Sequence, residues 1–414
     1  MSVRTLLAIT LIAFSTACYS EENWQFSGFG TLGAGKLNRS DFAMGEADSN
    51  WDLDNDTRLG IQLQGNLAER LSFTTQISSS GLALGDDESY DPQLQWLFLT
   101  YQASADLQLR LGRMRSAHYI YSGTRDVGYS YPWVRPPIDV YAYLLQPLSN
   151  FDGADLLYTL DMPNDLELDI QVFAGQVDGT VRDVYVDASP SYGTSLTLRS
   201  LDWLIRYSFH IEHTDISSDA FQPVIDTYDS LGESLDPIFS EIGASLYADG
   251  TDYQYHAIGG QWEHNSWGVI AEKYWIRAPE EGFSNDSDGW YISVLYHLEQ
   301  LTPYVVISAY DNTLNKETLP LIDEALASYP APPYPADISL LLAGTKEVIQ
   351  SFKAQQRSYT VGMRYDFMPN WCLKGEIQYF NFLAGSTGQG YPLNDSAERP
   401  EDATLYTIVL DVVF

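Results

Sequence analysis

Histidine is the side chain that most often carries acid–base or metal chemistry near neutral pH, and this sequence has six of them. His210, Glu212 and His213 stand close together, but successive side chains of a strand point to opposite faces, so His210 and His213 would not share a ligand. The chain contains no Gly-x-Ser-x-Gly elbow, no His-Glu-x-x-His and no glycine-rich phosphate loop. The sequence therefore predicts no catalytic residue, no resident metal ion and no cofactor.

One run of acids resembles the start of a calcium-binding loop. Asp52, Asp54 and Asp56 have the spacing of the first ligands, but Thr57 stands where the sharp turn needs glycine and Leu63 where the bidentate glutamate belongs. We expect at most a weak cation site at the surface.

The charge balance and composition exclude further classes of protein. The 414 residues carry 22 basic and 56 acidic side chains, a formal charge of −34, whereas nucleic-acid binding needs a basic surface. A hydrophobic content of 45% with 14% aromatic residues excludes a disordered chain. Two cysteines, Cys18 and Cys372, do not make a disulfide scaffold.

The N-terminus has the features of an export signal. Arg4 precedes an apolar run over 6 to 14, and small residues follow, so cleavage after Ala17 or Ser20 is expected. We predict a signal peptide over 1–20 and one mature domain over 21–414. No other apolar stretch approaches the ~18 residues of a transmembrane helix, which leaves a secreted soluble protein or a membrane-spanning barrel.

The rest of the chain alternates apolar with polar or small residues, as strands with one apolar face do. Leu59, Ile61 and Leu63 alternate with polar residues or glycine, and the last strand places Tyr406 and Phe414 on its apolar face. The fold class is therefore all-β. We predict sixteen strands: 24 to 36, 57 to 65, 71 to 79, 94 to 102, 107 to 115, 153 to 161, 166 to 175, 192 to 199, 203 to 214, 251 to 263, 267 to 277, 289 to 298, 302 to 310, 357 to 367, 371 to 382 and 403 to 414.

The lengths of the predicted connections distinguish a barrel from a soluble sandwich, which would show the same alternation. Every connection after an even-numbered strand has three to five residues, and every connection after an odd-numbered strand has 11 to 46. Short turns at one rim and long loops at the other are typical of a transmembrane barrel. In lipid, all backbone groups must be paired, which requires a closed antiparallel β-barrel with an even number of strands.

These features together resemble the porins of Gram-negative bacteria, over the whole mature chain. The resemblance implies short periplasmic turns, long extracellular loops and a homotrimer. It also implies that the loop after the fifth strand, 116–152 here, folds into the barrel and narrows the pore. The terminal Phe414 resembles the signal that the outer-membrane assembly machinery reads.

Two other long loops, 215–250 and 311–356, carry apolar residues at helical spacing. Such amphipathic segments would pack on the barrel mouth or on each other, and a gating lid is the alternative reading.

With the apolar face of each strand outward, several basic side chains point into the lumen, where a charge stays hydrated. Any water-filled barrel has such residues, and several of them would form salt bridges there. The same residues therefore fit either an ordinary hydrated wall or a functional cluster at the constriction. The candidate pore-constriction residues are Arg58, Arg110, Arg206, Arg364 and Lys374 on the strands, with Arg125, Asp126, Arg135 and Asp139 in the loop; the two loop acids rest on the resemblance. The aromatic residues of the same loop either stack on solutes or anchor it to the wall.

The function that the resemblance implies is passive diffusion of small hydrophilic solutes and ions across the outer membrane, without enzymatic activity. The expected partners are outer-membrane lipid, lipopolysaccharide, these solutes and the assembly machinery, and no nucleic acid. From the acidic charge we expect a weak preference for cations. The alternatives are a solute-selective porin for sugars or anions, and a non-conducting adhesin or structural barrel.

Overall fold

The computed structural model describes residues 20–21, 23–82, 88–142, 148–181, 184–219, 221–246, 248–278, 286–312, 317–331, 334–393 and 399–414. The predicted signal peptide, apart from its last residue, lies outside the described residues.

Sixteen long antiparallel strands form one closed sheet, so the predicted barrel is confirmed. The strands are β1 Trp24–Leu37, β2 Arg58–Ala68, β3 Leu71–Ser80, β4 Gln93–Gln102, β5 Leu107–Arg115, β6 Asn150–Met162, β7 Leu166–Val181, β8 Val184–Arg199, β9 Trp203–Ser217, β10 Ala248–His264, β11 Trp267–Arg277, β12 Ser287–Tyr296, β13 Leu301–Asn312, β14 Ala354–Met368, β15 Trp371–Phe382 and β16 Asp402–Val413. The short strand Ser20–Glu21 pairs with the start of β1, and Phe42–Ala43 pairs with Tyr391–Pro392.

The barrel closes where β16 pairs with β1, with Leu405 opposite Leu37 and Val412 opposite Gly30. The last residue extends this seam, because the Phe414 amide donates to the Gly28 carbonyl at 3.0 Å and the Gly28 amide donates to the Phe414 carbonyl at 2.8 Å. Closure leaves the long strands without a free edge, as a spanning sheet requires.

The two faces of the sheet have opposite character, which β15 illustrates. Ile377 and Tyr379 on its outer face are exposed, whereas Lys374, Glu376 and Gln378 on its inner face are buried. An apolar exterior around a polar interior is the reverse of a soluble protein and suits a barrel embedded in lipid.

The connection between β7 and β8 corrects one prediction. The sequence predicts a long loop over 176 to 191, but the two strands continue and only 182–183 lie between them. Pro190 interrupts the alternation in the sequence, yet the register shifts between Ala188 and Ser191, and this bulge accommodates a residue without an amide hydrogen. The strict alternation of short and long connections therefore has an exception.

Two long connections contain α-helices, and the connection between β5 and β6 contains the short 3₁₀ helices Ser122–Thr124 and Gly128–Ser130. No described helix is long and apolar enough to cross a membrane. Helices α1 (Gln222–Ser234) and α2 (Ile238–Ala244) lie between β9 and β10, and α3 (Thr318–Ser328) and α4 (Ala336–Ser351) lie between β13 and β14. The four helices share one apolar core, which includes Tyr228, Phe239, Ile242, Ile322 and Leu342.

Candidate functional site

The segment 116–149, between β5 and β6, contacts the inward side chains of several wall strands. The indole Nε1 of Trp133 donates to Ser293 Oγ of β12 at 2.9 Å, and the backbone amide of Ile120 donates to Glu272 Oε2 of β11 at 2.8 Å. Ordinary connecting loops run over the surface. The described part of this one instead lies against the inner wall.

Aromatic side chains attach the segment to the wall formed by β10 to β13. Trp133 and Tyr141 are buried, and they belong to one apolar cluster with Tyr274 and Tyr291 of the wall. The hydroxyls of Tyr141 and Tyr291 both donate to Glu272 Oε1, which satisfies a carboxylate that would otherwise be costly to bury. These contacts favour the anchoring reading of the loop's aromatic residues over solute stacking.

A buried ion pair attaches the segment to β15 and β16. The Nζ of Lys374 lies 2.9 Å from Asp411 Oδ2, and neither side chain is exposed. The same Nζ donates to the carbonyls of Gly128 at 2.6 Å and Trp133 at 2.8 Å. The inward direction predicted for Lys374 is correct, but its charge contacts the loop and not an open passage.

Arg364 of β14 makes similar contacts with the segment. Its Nη1 donates to the carbonyls of Tyr129 at 2.8 Å and Tyr131 at 3.0 Å, and its guanidinium also bonds Asp366. Both Arg364 and Lys374 therefore bind backbone oxygens of the segment.

Two charged residues of the segment also face the wall. Arg135 donates to both oxygens of Asp56, at 2.8 and 2.7 Å, and Asp139 accepts hydrogen bonds from Ser308 at 2.7 Å and Gln356 at 3.0 Å. Burial disfavours the charge of Asp56, but the adjacent Arg135 outweighs it and holds the pKa of Asp56 below its usual value. Burial raises the pKa of Asp139.

The calcium-like run of acids is therefore used differently from the expectation. Asp56 points inward to Arg135, whereas Asp54 Oδ1 accepts a hydrogen bond from Tyr90 at 2.7 Å, so the carboxylates do not converge. Among the described residues, Asp52, Asp54 and Asp56 are not a group whose ligand atoms lie close enough together to hold a metal ion.

A polar cavity of ≈ 380 Å³ lies on the other side of the segment, against the wall formed by β2 to β7. Arg58 of β2 and Arg125 of the segment line it together, and Asp126 lies beside them. Other charged residues on its lining are Arg113, Arg135, Asp56, Glu88, Asp91 and Asp178. The structure thus brings together part of the predicted constriction set.

Arg58 and Arg125 form no salt bridge among the described residues, in contrast to Arg110, Arg135 and Arg364 of the set. Arg58 donates to the Tyr131 hydroxyl at 2.8 Å, and Arg125 donates to the carbonyls of Tyr141 at 3.3 Å and Ala142 at 3.1 Å. Neither guanidinium therefore has a carboxylate within salt-bridge distance among the described residues, so its positive charge is neutralised less than that of a paired arginine.

Asp126 is ion-paired with Arg115 at the edge of the same cavity. Burial favours the neutral acid, but Arg115 and Arg125 outweigh burial and lower the pKa of Asp126. The carboxylate is therefore charged at neutral pH.

Two predicted residues lie apart from this cavity. Arg110 pairs with Asp155, its Nε lying 2.8 Å from Oδ1, and Arg206 donates to the Ala117 carbonyl at 3.1 Å. Arg206 lines separate cavities towards the short-turn rim, together with Arg199.

Sequence reasoning missed Glu272, the acceptor that holds the segment through Tyr141. A usable signal exists: β11 places Ile270 and Tyr274 on the inner face, and β12 places Tyr291 there. A lumen wall that is apolar on both faces indicates that something inside the barrel covers it.

No protein-family profile and no curated protein matches the chain, whereas several solved structures do. The anion-selective porin from Comamonas acidovorans has a TM-score of 0.55 at 10% identity, covering 95% of this chain and 100% of that one. OmpF of Salmonella typhi, in a complex with daunomycin, has a TM-score of 0.54 at 11% identity, covering 96% and 99%. The outer membrane channel DcaP of Acinetobacter baumannii has a TM-score of 0.54 at 9% identity, covering 96% and 100%.

The closed sheet and these likenesses define a transmembrane β-barrel of the porin type. The chain has the fold of outer-membrane porins, as the sequence resemblance predicts.

Proposed function

We propose that this protein is a porin in the outer membrane of a Gram-negative bacterium, a passive channel for small hydrophilic solutes and ions. The observation that carries the proposal is the divided lumen. Aromatic contacts fix the segment 116–149 to one side of the barrel, and a polar cavity lined by charged residues remains on the other. A plugged structural barrel would not need a charged cavity of this kind.

We propose that the pore is narrowest where the segment faces β2, with Arg58, Arg125 and Asp126 at the passage. The other predicted constriction residues act there indirectly. Lys374, Arg364, Arg135, Asp139 and Arg206 hold the segment in place, and Arg110 pairs with Asp155 elsewhere on the wall.

We expect a weak cation preference. The outer face is apolar, so most of the formal charge of −34 is carried by loops and interior. Asp91 and Asp178 line the cavity, and acids at a mouth raise the local cation concentration. The guanidiniums of Arg58 and Arg125, which form no salt bridge with a described residue, oppose this effect at close range. They are the specific reason to keep an anion-selective porin as the second candidate.

Planar-bilayer recording of the purified mature protein tests the proposal. We expect ion steps from each inserted molecule and, in a KCl gradient, a reversal potential that favours K⁺ at low salt. That preference should weaken as the Debye length falls from ~10 Å at 0.1 M to ~3 Å at 1 M. Insertion without ion steps would support the non-conducting adhesin, and Cl⁻ preference at every salt concentration would support the anion-selective alternative.

By the same resemblance, we propose a homotrimer surrounded by lipopolysaccharide and inserted by the outer-membrane assembly machinery. Cross-linking in intact outer membranes tests the oligomer. A single band at the protomer mass would contradict it.

A further inference from the structure

Three potential metal ligands meet where the inward segment leaves the wall. His118 lies three residues after the end of β5, and His210 and Glu212 lie two residues apart on the inner face of β9. One ligand atom of each lies within 4.8 Å of the others. The ring centroids of His118 and His210 are 4.3 Å apart, and His118 Nε2 is 4.0 Å from Glu212 Oε1.

His210 is the second, independent observation. Its side chain is 0% exposed, and neither Nδ1 nor Nε2 has a hydrogen-bond partner among the described residues. Buried polar groups nearly always have a partner, because leaving one unsatisfied costs roughly 1–3 kcal/mol. A buried imidazole with both nitrogens unpaired, beside a second imidazole and a carboxylate, therefore calls for an explanation.

We propose that His118, His210 and Glu212 bind one divalent transition-metal ion, with Zn²⁺ as the best match. Two imidazoles and one carboxylate are a common Zn²⁺ donor set, whereas Ca²⁺ and Mg²⁺ prefer oxygen ligands alone. Bonds of ~2.0–2.2 Å need the ligand atoms closer together than they are, and rotation of the partly exposed His118 and Glu212 side chains supplies that movement.

The charges around the three residues set a requirement for this assignment. Arg206 and Arg125 lie near His118 and oppose a cation there, so the compensating negative charge must come from Glu212. Glu212 supplies the negative charge that a dication needs. Among the described residues, its only partner within salt-bridge distance is His118.

The site would connect the start of the inward segment to β9. Glu272 and Lys374 hold the segment further along, and Arg206 and Ser208 of β9 donate to the Ala117 carbonyl, so a metal ion at His118 would strengthen an existing attachment near β5. This consequence for conduction rests on the proposed porin function, whereas metal binding itself does not.

The test uses the full mature chain without a histidine tag, refolded in detergent and treated with a chelator. Isothermal titration with Zn²⁺ should give one ion per protomer, and Co²⁺ should produce visible absorption bands of low-symmetry coordination. His118→Gln and Glu212→Gln should each weaken Zn²⁺ binding at least tenfold. They are chosen because both side chains are partly exposed, and the shift of the folded barrel in an unheated gel checks that each variant folds.

The matched control is His213→Ala, on the opposite face of β9, where His213 is exposed and lies 2.9 Å from Asp252. This variant should bind Zn²⁺ as the wild type does. Absence of Zn²⁺ binding by the wild type, or equal binding by the folded His118→Gln and wild-type proteins, would overturn the site.

In bilayers, Zn²⁺ should reduce the current noise of the wild type and not of Glu212→Gln. A protein that binds Zn²⁺ but does not conduct keeps the site and contradicts only the porin proposal.

Discussion

Replacing Lys374 by methionine tests how the inward segment is held. The substitution removes the cation but keeps most of the side-chain volume. It leaves Asp411 buried with Thr31 and, more weakly, the Cys372 thiol as donors, and the carbonyls of Gly128 and Trp133 lose their bonds to Nζ. Removing one partner of a buried ion pair typically costs about 3–5 kcal/mol. Because the lost contacts join the segment to the wall, we expect that cost to appear mainly as undocking of the segment.

The assay combines thermal unfolding of the barrel with single-channel recording. Lys374→Met should raise the current noise and lower the unfolding temperature. The double variant Lys374→Met with Asp411→Leu, which leaves no buried charge, should recover most of the loss. Lys346→Met is the matched control, since Lys346 pairs with the exposed Asp323 on the helices and such pairs contribute ~0–1 kcal/mol. If Lys374→Met conducts and unfolds like the wild type, the ion pair does not hold the segment.

Three further predictions concern the passage, the seam and the helices. Arg58→Gln and Arg125→Gln should each raise the K⁺/Cl⁻ permeability ratio about threefold in reversal-potential measurements at 0.1 M salt. A unit charge ~7 Å from an ion in water contributes about 0.6 kcal/mol before screening, with opposite sign for K⁺ and Cl⁻, and a Debye length of ~10 Å roughly halves each contribution. An unchanged ratio in both variants would place the passage elsewhere. Deleting Phe414 should lower the amount of folded barrel in outer membranes without changing the conductance of molecules that assemble. Gly28→Ala should act similarly, because a Cβ there would lie 2.4 Å from the Phe414 ring. Normal membrane levels of both variants would show that the contact of Phe414 with Gly28 is not needed for assembly. Ile322→Ala should destabilise the helical layer by roughly 2–5 kcal/mol and make it sensitive to protease, with conductance unchanged. A change in conductance would instead support the alternative that the helices form a gating lid.

The sequence predicts the barrel well because lipid constrains every second residue of the spanning segments. Ile377 and Tyr379 face lipid, so their positions must be apolar, and the alternation is readable. Beyond the lipid belt this constraint ends. The ends of β7 and β8 beyond the lipid belt therefore carry Asp178, Asp187 and Pro190, residues that are typical of a loop. Cross-strand pairing, such as that of Asp187 with Asp178, nevertheless makes these segments strands.

The candidate site is only partly predictable for a different reason. Alternation gives the face on which Arg58 or Lys374 points, but it does not give the group that each one meets across the lumen. Lys374 meets loop carbonyls from Gly128, and His118 reaches His210 only because the chain turns inward after β5. Such contacts depend on the path of a segment whose described part has only two short 3₁₀ helices, and no residue period encodes that path.

The shared core of the four helices has a mechanical consequence for the barrel below them. The Tyr228 hydroxyl of α1 donates to Thr345 of α4 at 2.8 Å, and Thr318 of α3 donates to the Ser245 carbonyl after α2 at 3.1 Å. These bonds tie the rim at β9 and β10 to the rim at β13 and β14. An open cylinder flattens easily into an ellipse, whereas a brace across part of its rim resists that distortion. The helices would thus keep the cross-section of the cylinder constant on the side where the segment is attached.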